Sequence, residues 1–185
     1  MDMKRTGVEG VDILQPEVFE DERGFFFESY NKEKLERMGI ILNLCQDNHS
    51  MSKEIGTIRG LHYQIEPMEM TKIVRVVSGE ILDVIVDIRK GSPTFGEWFS
   101  FHLTSENKKQ VIVPPGFAHG FCTLVRNTEV LYKVDKHYSR EHDRGIKWDD
   151  PEIGIDWPIS NPILSKKDLE NPPLASAEIN FTYEE

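Results

Sequence analysis

Short apolar and β-branched runs, separated by turn signals, dominate the chain from residue 42 onward. Runs of this length are typical of β-strands, and the Gly, Pro and Asn residues between them are typical of turns. The strand-like runs lie near residues 42–50, 57–64, 72–78, 80–88, 96–103, 110–113, 119–125 and 129–136. About eight short strands with few helices predict an all-β sandwich or closed barrel.

One helix is predicted before these strands, at residues 31–39. Asn31 is a suitable N-cap, and Gly39 stands where a helix commonly ends. In the tail, Ser165 and Asp168 have the spacing of a helical turn with its own cap. We therefore expect an N-terminal helix and a few short C-terminal helical turns around a β-barrel.

A chain of 185 residues is long enough for one domain with a substantial core. No repeat or long linker divides it, so we expect a single domain over 1–185. Its expected parts are the N-terminal strands and helix at 1–41, the barrel core at about 42–136 and the C-terminal extension at 137–185.

Charge and composition exclude several classes of partner. The net charge of −10 argues against nucleic acid, because phosphate backbones require a basic surface. No apolar run reaches the roughly 18 residues of a membrane helix, so we expect no membrane partner and a cytoplasmic location. Cys45 and Cys122 show neither disulfide-framework nor metal-type spacing, and we interpret both as reduced core residues.

The stretch from Gly56 to Gly79 contains several of the candidate functional residues, among them His62 and Lys72. Strand alternation places Lys72, Val74 and Val76 on one face. A lysine on a valine face either snorkels at a strand end or reaches into a cavity. We favour the cavity.

The spacing of His62 and His119 resembles the two metal-binding motifs of cupin barrels. In that pattern Gln64 replaces a histidine ligand, and Lys72 lies near the place of the glutamate ligand. Two imidazoles and an amide make a poor transition-metal site, and an ammonium group repels a cation. We therefore expect the barrel without a metal.

Each remaining candidate also has a structural interpretation. His62 could be a buried histidine satisfied by a backbone carbonyl, or a neutral general base. Asp168 could orient His62 or only cap the turn at Ser165, and the pattern favours neither. Tyr132 considered alone is more often a core residue than an acid.

Blocks along nearly the whole chain resemble the dTDP-4-dehydrorhamnose 3,5-epimerase family, which is cupin-like. The blocks are Asp21–Glu28, Gln46–Asn48, Arg59–Gln64, Lys72–Val76, Gly79–Val84, Pro114–Phe121, Tyr132–Val134, Gly145–Pro151 and Leu164–Asp168. The resemblance implies a double-stranded β-helix, or jelly roll, and metal-free epimerisation at C3 and C5 of a dTDP-linked 4-keto-6-deoxy sugar. It also implies no cofactor and a homodimer in which N-terminal strands complete a neighbour's pocket.

The resemblance further implies a role for each matching residue. His62 is the base with Asp168 as its partner, Tyr132 is the acid on the opposite face, and Lys72 lies beside the ketone oxygen. Substrate contacts match Arg23, Glu28, Gln46, Asp47, Asn48, Arg59, His119, Tyr138, Asp143 and Lys167, with Tyr138 stacking on thymine. One departure is Arg140–Asp143, where the family usually has Pro-Glu-x-Glu.

Three other functions remain as alternatives at this stage. One is epimerisation at a single carbon of a related keto sugar. Another is a non-catalytic sugar-nucleotide binder, which would need neither His62 nor Tyr132. The third is a metal-dependent cupin enzyme, which Gln64 disfavours.

Overall fold

The computed structural model describes residues 1–183, and most of its regular structure is β-sheet. The strands are β1 (Asp2–Arg5), β2 (Asp12–Gln15), β3 (Phe19–Asp21), β4 (Gly24–Phe26), β5 (Gln46–Ser52), β6 (Ile58–Gln64), β7 (Lys72–Ser78), β8 (Glu80–Asp87), β9 (Trp98–Thr104), β10 (Gln110–Val113), β11 (Phe117–Thr123), β12 (Thr128–Val134) and β13 (Asp143–Gly145). The helices are α1 (Lys32–Arg37), α2 (Lys166–Glu170) and one 3₁₀ turn (Leu174–Ser176).

Two antiparallel sheets form the two walls of the barrel. One has the order β1-β2-β10-β7-β12-β5, and the other has the order β13-β6-β11-β8-β9. Apolar side chains of both sheets meet in one buried cluster, which includes Val74, Val130, Ile85 and Phe121. The fold is a cupin-like jelly roll, as predicted.

Further buried clusters cover the outer faces of both sheets. Leu35 of α1 packs with Ile73 and Ile112 on the six-stranded sheet. The C-terminal extension contributes Trp157 and Phe181 to a cluster on the five-stranded sheet. The extension thereby lies against the sheet that carries β6, and α2 follows close to that strand.

The predicted helix and the face of β7 are confirmed. The Asn31 side chain accepts a hydrogen bond from the Lys34 amide at 3.1 Å, and Gly39 has a positive φ of 86°. Val74 and Val76 point into the barrel with Lys72, whereas Ile73 points to the outer cluster.

Strand boundaries differ most at β5. The alternation of Leu42 and Leu44 resembles a strand, but both side chains pack beside α1 and the strand begins at Gln46. The core prediction for Cys45 is wrong, because this residue is exposed where the chain enters β5, whereas Cys122 is buried. Within residues 1–183, no helix is long and apolar enough to cross a membrane.

Candidate active site

A cavity of about 500 Å³ lies inside the barrel between the two sheets. Most of the candidate residues from the sequence line it, although they come from distant parts of the chain. Those residues are Gln46, Asn48, Arg59, His62, Lys72, His119, Tyr132, Tyr138, Asp143, Lys167 and Asp168.

The half-buried His62 and the buried Asp168 form a hydrogen-bonded pair on one wall. The Nε2 atom of His62 lies 2.5 Å from Asp168 Oδ1, and only 4% of the aspartate side chain is exposed. Burial opposes ionisation of Asp168, but hydrogen bonds from His62 and Ser165 outweigh it and lower the carboxyl pKa. The carboxylate holds Nε2, so Nδ1 is the imidazole nitrogen left for a ligand.

Asp168 fulfils both roles that the sequence left open. The Ser165 hydroxyl accepts a hydrogen bond from the Asp168 amide at 3.1 Å and donates to Asp168 Oδ2 at 2.8 Å. The other carboxylate oxygen, Oδ1, contacts His62. The cap of α2 therefore also fixes the carboxylate against the histidine.

A bulge in β6 brings Arg59 and His62 to the same cavity. In a regular strand, residues three positions apart face opposite sides. Here His62 pairs with His119 while Arg59 pairs with Phe121, so β6 has one residue more than β11 between these pairs. Gly60 occupies the bulge with φ of 140°, and a Cβ there would lie 2.5 Å from the Gly120 Cα. Only glycine fits this close approach.

Tyr132 faces the cavity from β12 on the opposite wall, across from the sheet that carries His62. It lies between Asn48 of β5 and Val74 of β7 in the strand register. Burial raises the pKa of its phenol, partly offset by the nearby positive charge of Arg59. The hydroxyl group is therefore protonated at neutral pH.

Lys72 enters the same cavity from the first residue of β7. Its Nζ donates to the backbone carbonyl of His62 at 3.3 Å. Burial lowers its pKa to about 8, while the charges of Asp83 and Asp143 act in the opposite direction. Near neutral pH the side chain is mainly a cation that lies against the His62 backbone.

Tyr138, Asp143 and Lys167 form a polar group around the exposed ring of Tyr138. Asp143 Oδ2 accepts hydrogen bonds from the Tyr138 hydroxyl at 3.0 Å and from Lys167 at 2.5 Å. Gln64 positions this segment, because its side chain bonds the backbone of Met68 and of residues 137 and 139. These bonds explain an amide at a position where cupins commonly have a metal ligand.

Three candidate residues do not line this cavity. Asp47 points outward to Lys133, because strand alternation puts it on the face opposite Gln46 and Asn48, so it does not line the cavity of its own chain. Arg23 pairs with Asp21 in the turn between β3 and β4, and Glu28 pairs with Lys34. Neither Arg23 nor Glu28 reaches the cavity of its own chain.

Sequence reasoning missed two residues of this region. Ser50 lines the cavity, and its hydroxyl oxygen is buried without a hydrogen-bond partner among residues 1–183. Asp83 is fully buried and lies 2.8 Å from His119 Nε2. The sequence does offer a clue to Asp83. It is a charged residue within the apolar run of β8, and alternation places it on the same face as Ile81 and Ile85, which point into the barrel.

The described part of the chain contains no group of three or more His, Cys, Asp or Glu side chains arranged to hold a metal ion. His62 and His119 are cross-strand neighbours, but each binds a different carboxylate through Nε2. Their partners Asp168 and Asp83 come from α2 and β8.

Fold and cavity together define an isomerase of the cupin-like carbohydrate epimerase class. Over residues 5–176 the sequence matches the family model described as dTDP-4-dehydrorhamnose 3,5-epimerase. The chain belongs to this family.

Relatives and solved structures agree with this assignment over almost the full length. A dTDP-4-dehydrorhamnose 3,5-epimerase from Shigella flexneri is 49% identical, covering 96% of this chain and 98% of the relative. The structure of the Bacillus anthracis enzyme with TDP and PPi bound is 52% identical with a TM-score of 0.90, covering 93% of this chain and 99% of that one. A Legionella pneumophila epimerase in complex with dTDP-4-keto-L-rhamnose is 39% identical with a TM-score of 0.94, covering 100% of this chain and 99% of that one.

Proposed function

We propose that this protein epimerises C3 and C5 of dTDP-4-dehydro-6-deoxy-D-glucose and thereby forms dTDP-4-dehydro-L-rhamnose. The observation that carries the proposal is the placement of His62 and Tyr132 on opposed walls of one cavity, with Lys72 beside His62. Inversion at carbon requires removal of a proton on one face and delivery of a proton on the other. The ligands bound to the Bacillus and Legionella structures support a thymidine nucleotide sugar as the substrate.

His62 is the general base in this proposal. Its Nδ1 takes the proton from the carbon next to the ketone, while Asp168 holds Nε2 and stabilises the imidazolium that forms. Imidazole is the side chain most often used as a general base in proton transfer. The electron pair of the broken C–H bond moves onto the ketone oxygen and forms an enolate.

Lys72 and Tyr132 complete the reaction. The Lys72 ammonium stabilises the negative charge on the enolate oxygen, an interaction worth roughly 3–4 kcal/mol for a well-placed donor. Tyr132 then donates its phenolic proton to carbon from the opposite face. Exchange with solvent returns a proton to Tyr132 and removes one from His62 before the second carbon reacts.

Binding of the nucleotide uses the cationic and aromatic residues around the sugar site. Arg59 and Lys167 provide positive charge for the diphosphate in a protein whose net charge is −10. The exposed ring of Tyr138 offers a stacking surface for thymine. We also place this activity in the cytoplasm, because free thiols such as Cys45 and Cys122 suit a reducing compartment.

We further propose that the protein acts as a homodimer. β3 and β4 form a separate two-stranded sheet that exposes Phe19, Phe25 and Phe26. An isolated hairpin with exposed aromatic side chains gains stability by packing on another surface. Packing on a second copy would bring Arg23 and Glu28 toward the partner's cavity.

Incubation of the keto sugar nucleotide with the enzyme in D₂O, followed by NMR, tests the reaction. We expect deuterium at both C3 and C5, with the L-rhamno product. Deuterium at one carbon only would identify a mono-epimerase, and no exchange would identify a binder. Either result would contradict the proposed function.

Two variants test the roles of the opposed side chains in the same experiment. His62→Asn should lose deuterium exchange by at least about 100-fold, because no base remains to remove the proton. Tyr132→Phe should still exchange protons through His62 but return deuterium to the original face, so inversion is lost. Full epimerisation by either variant would exclude the corresponding role.

A further inference from the structure

Asp83 is a buried carboxylate in an apolar part of the barrel. It lies on β8 between Ile81 and Ile85, whose side chains point into the same interior, and all three residues are fully buried. A carboxylate in such a place is costly unless charge or hydrogen bonds compensate it. Its position therefore calls for a partner inside the barrel.

His119 is that partner. Its Nε2 lies 2.8 Å from Asp83 Oδ2, and only 8% of the histidine side chain is exposed. The other oxygen, Asp83 Oδ1, is buried without a hydrogen-bond partner in residues 1–183. Asp168 differs in this respect, because His62 and Ser165 occupy its two oxygens.

We propose that Asp83 is a positioning residue that orients His119 and holds the positive charge of Lys72 beside the reacting ketone. The inference rests on the proposed epimerase function and extends it to a residue outside the cavity wall. His119 and His62 are directly opposed across β11 and β6, and Lys72 donates to the backbone carbonyl of His62. Lys72 Nζ thus reaches from the six-stranded sheet to β6, at the strand position where His62 pairs with His119.

The other charges near Lys72 do not replace Asp83. Asp143 of β13 also favours the ammonium, but it is already paired with Lys167 and Tyr138. Lys167 of α2 acts against the ammonium, and burial lowers the Lys72 pKa to about 8. The remaining titratable groups around the cavity are Arg59, His62 and Tyr63 of β6, His119 of β11, Tyr132 of β12, Tyr138 and Asp168.

The variant Asp83→Asn keeps the shape of the side chain and removes its charge. In the enzyme without substrate, we expect the pH midpoint of Lys72 acylation to fall below about 8 by on the order of one pH unit. Mass spectrometry after pulse labelling with a small acylating reagent measures this midpoint. The basic limb of kcat should move by the same amount, giving about a fivefold loss at pH 8 and a much smaller loss at pH 6.5. KM should change less than kcat.

Asp87→Asn is the matched control. Asp87 is equally buried on the same strand but binds Arg89, Ser92 and Thr94, and it does not line the cavity. This variant should lower stability without moving the Lys72 midpoint. An unchanged midpoint in Asp83→Asn, or an equal change in Asp87→Asn, would overturn the proposal.

A measurement on the wild type remains decisive if Asp83→Asn does not fold. ¹⁵N NMR of labelled histidines should show His119 protonated at Nε2, which faces Asp83, and a proton on Nδ1 alone would contradict the proposal. Labelling and NMR need no substrate. The two proposals can therefore fail separately. If the wild-type enzyme does not exchange deuterium, the epimerase function is wrong. If Asp83→Asn nevertheless lowers the pH midpoint of Lys72 acylation, the role of Asp83 in keeping Lys72 charged still holds.

Discussion

Lys72 places an ammonium where burial disfavours charge. Its pKa falls from 10.5 in the unfolded chain to about 8 in the folded protein, chiefly through desolvation. Between these two values the unfolded chain binds more protons than the folded chain, so the free energy of unfolding rises with pH across this window. Below about pH 8 both states carry the charge and the full cost of burying it remains. The fold thus loses some stability by keeping a cation inside the cavity.

Lys72→Met should therefore stabilise the protein while abolishing epimerisation. We expect the free energy of unfolding at pH 7 to rise by about 1–2 kcal/mol, because the desolvated charge is removed while Asp83 and Asp143 lose a countercharge. Urea denaturation measures this change. The gain should shrink between pH 8 and pH 10.5, where wild-type Lys72 loses its proton.

Lys133→Met controls for loss of one lysine charge from the same sheet. Lys133 points outward and pairs with Asp47. Its replacement should leave stability within about 1 kcal/mol of the wild type. An active Lys72→Met enzyme, or one less stable than Lys133→Met, would contradict this account of Lys72.

At the scale of the element, a bulge in β6 determines which of its side chains face the cavity. The bulge at Gly60 turns Arg59 and His62 to the same side, and the adjacent Gly120 of β11 lets the two backbones approach closely. A side chain at residue 60 would meet backbone atoms of His119 and Gly120, which cannot move away as a flexible side chain would. The bulge thus shapes the wall of the cavity.

Gly60→Ala should separate β6 from β11 and disturb both histidines of the cavity. The added Cβ would lie 2.5 Å from the Gly120 Cα and 3.0 Å from the His119 carbonyl oxygen. We expect a loss of about 3 kcal/mol in urea denaturation, together with loss of deuterium exchange.

Gly7→Ala separates this clash from backbone strain. Gly7 also has a positive φ, of 90°, but its Cβ would have no atom within 4 Å. Its replacement should cost only about 1–2 kcal/mol and leave exchange intact. Equal stability and activity of the two variants would show that the close approach at Gly60 is unimportant.

The regular features of these elements could be read from the sequence, whereas the exceptions could not. Alternation correctly placed Lys72 toward the interior, and capping residues correctly placed α1. Alternation alone cannot reveal the extra residue in β6, because this depends on the register with β11. Alternation also does not show which face of β8 points into the barrel. From the sequence alone, Asp83 could therefore equally be a polar residue on the outer face.

At the scale of the whole molecule, we propose that 1–185 folds as one unit. The C-terminal extension is bound to the barrel by a bridge from Thr57 to Ile163 and another from Lys90 to Thr182. It also supplies Asp168, without which His62 has no carboxylate partner. Residues more than 100 positions apart in sequence thus depend on each other within one cavity.

Mixing two inactive variants tests whether this unit completes its site with a second copy. If Arg23 serves the partner's cavity, a heterodimer of His62→Asn and Arg23→Ala contains one site with both native residues. Random exchange of equal amounts should then restore about a quarter of the wild-type activity. The assay uses substrate far below KM, where loss of the Arg23 contact is most visible.

A mixture of His62→Asn and Lys72→Met is the control for this complementation. Both residues line the cavity of their own chain, so every heterodimer site lacks one of them and no activity should return. Light scattering of each variant checks that dimers are present before and after mixing. If the Arg23 mixture also stays inactive although the dimers exchange, Arg23 does not complete a partner's site. If the protein is a monomer, the exposed hairpin of Phe19, Phe25 and Phe26 does not form the proposed interface.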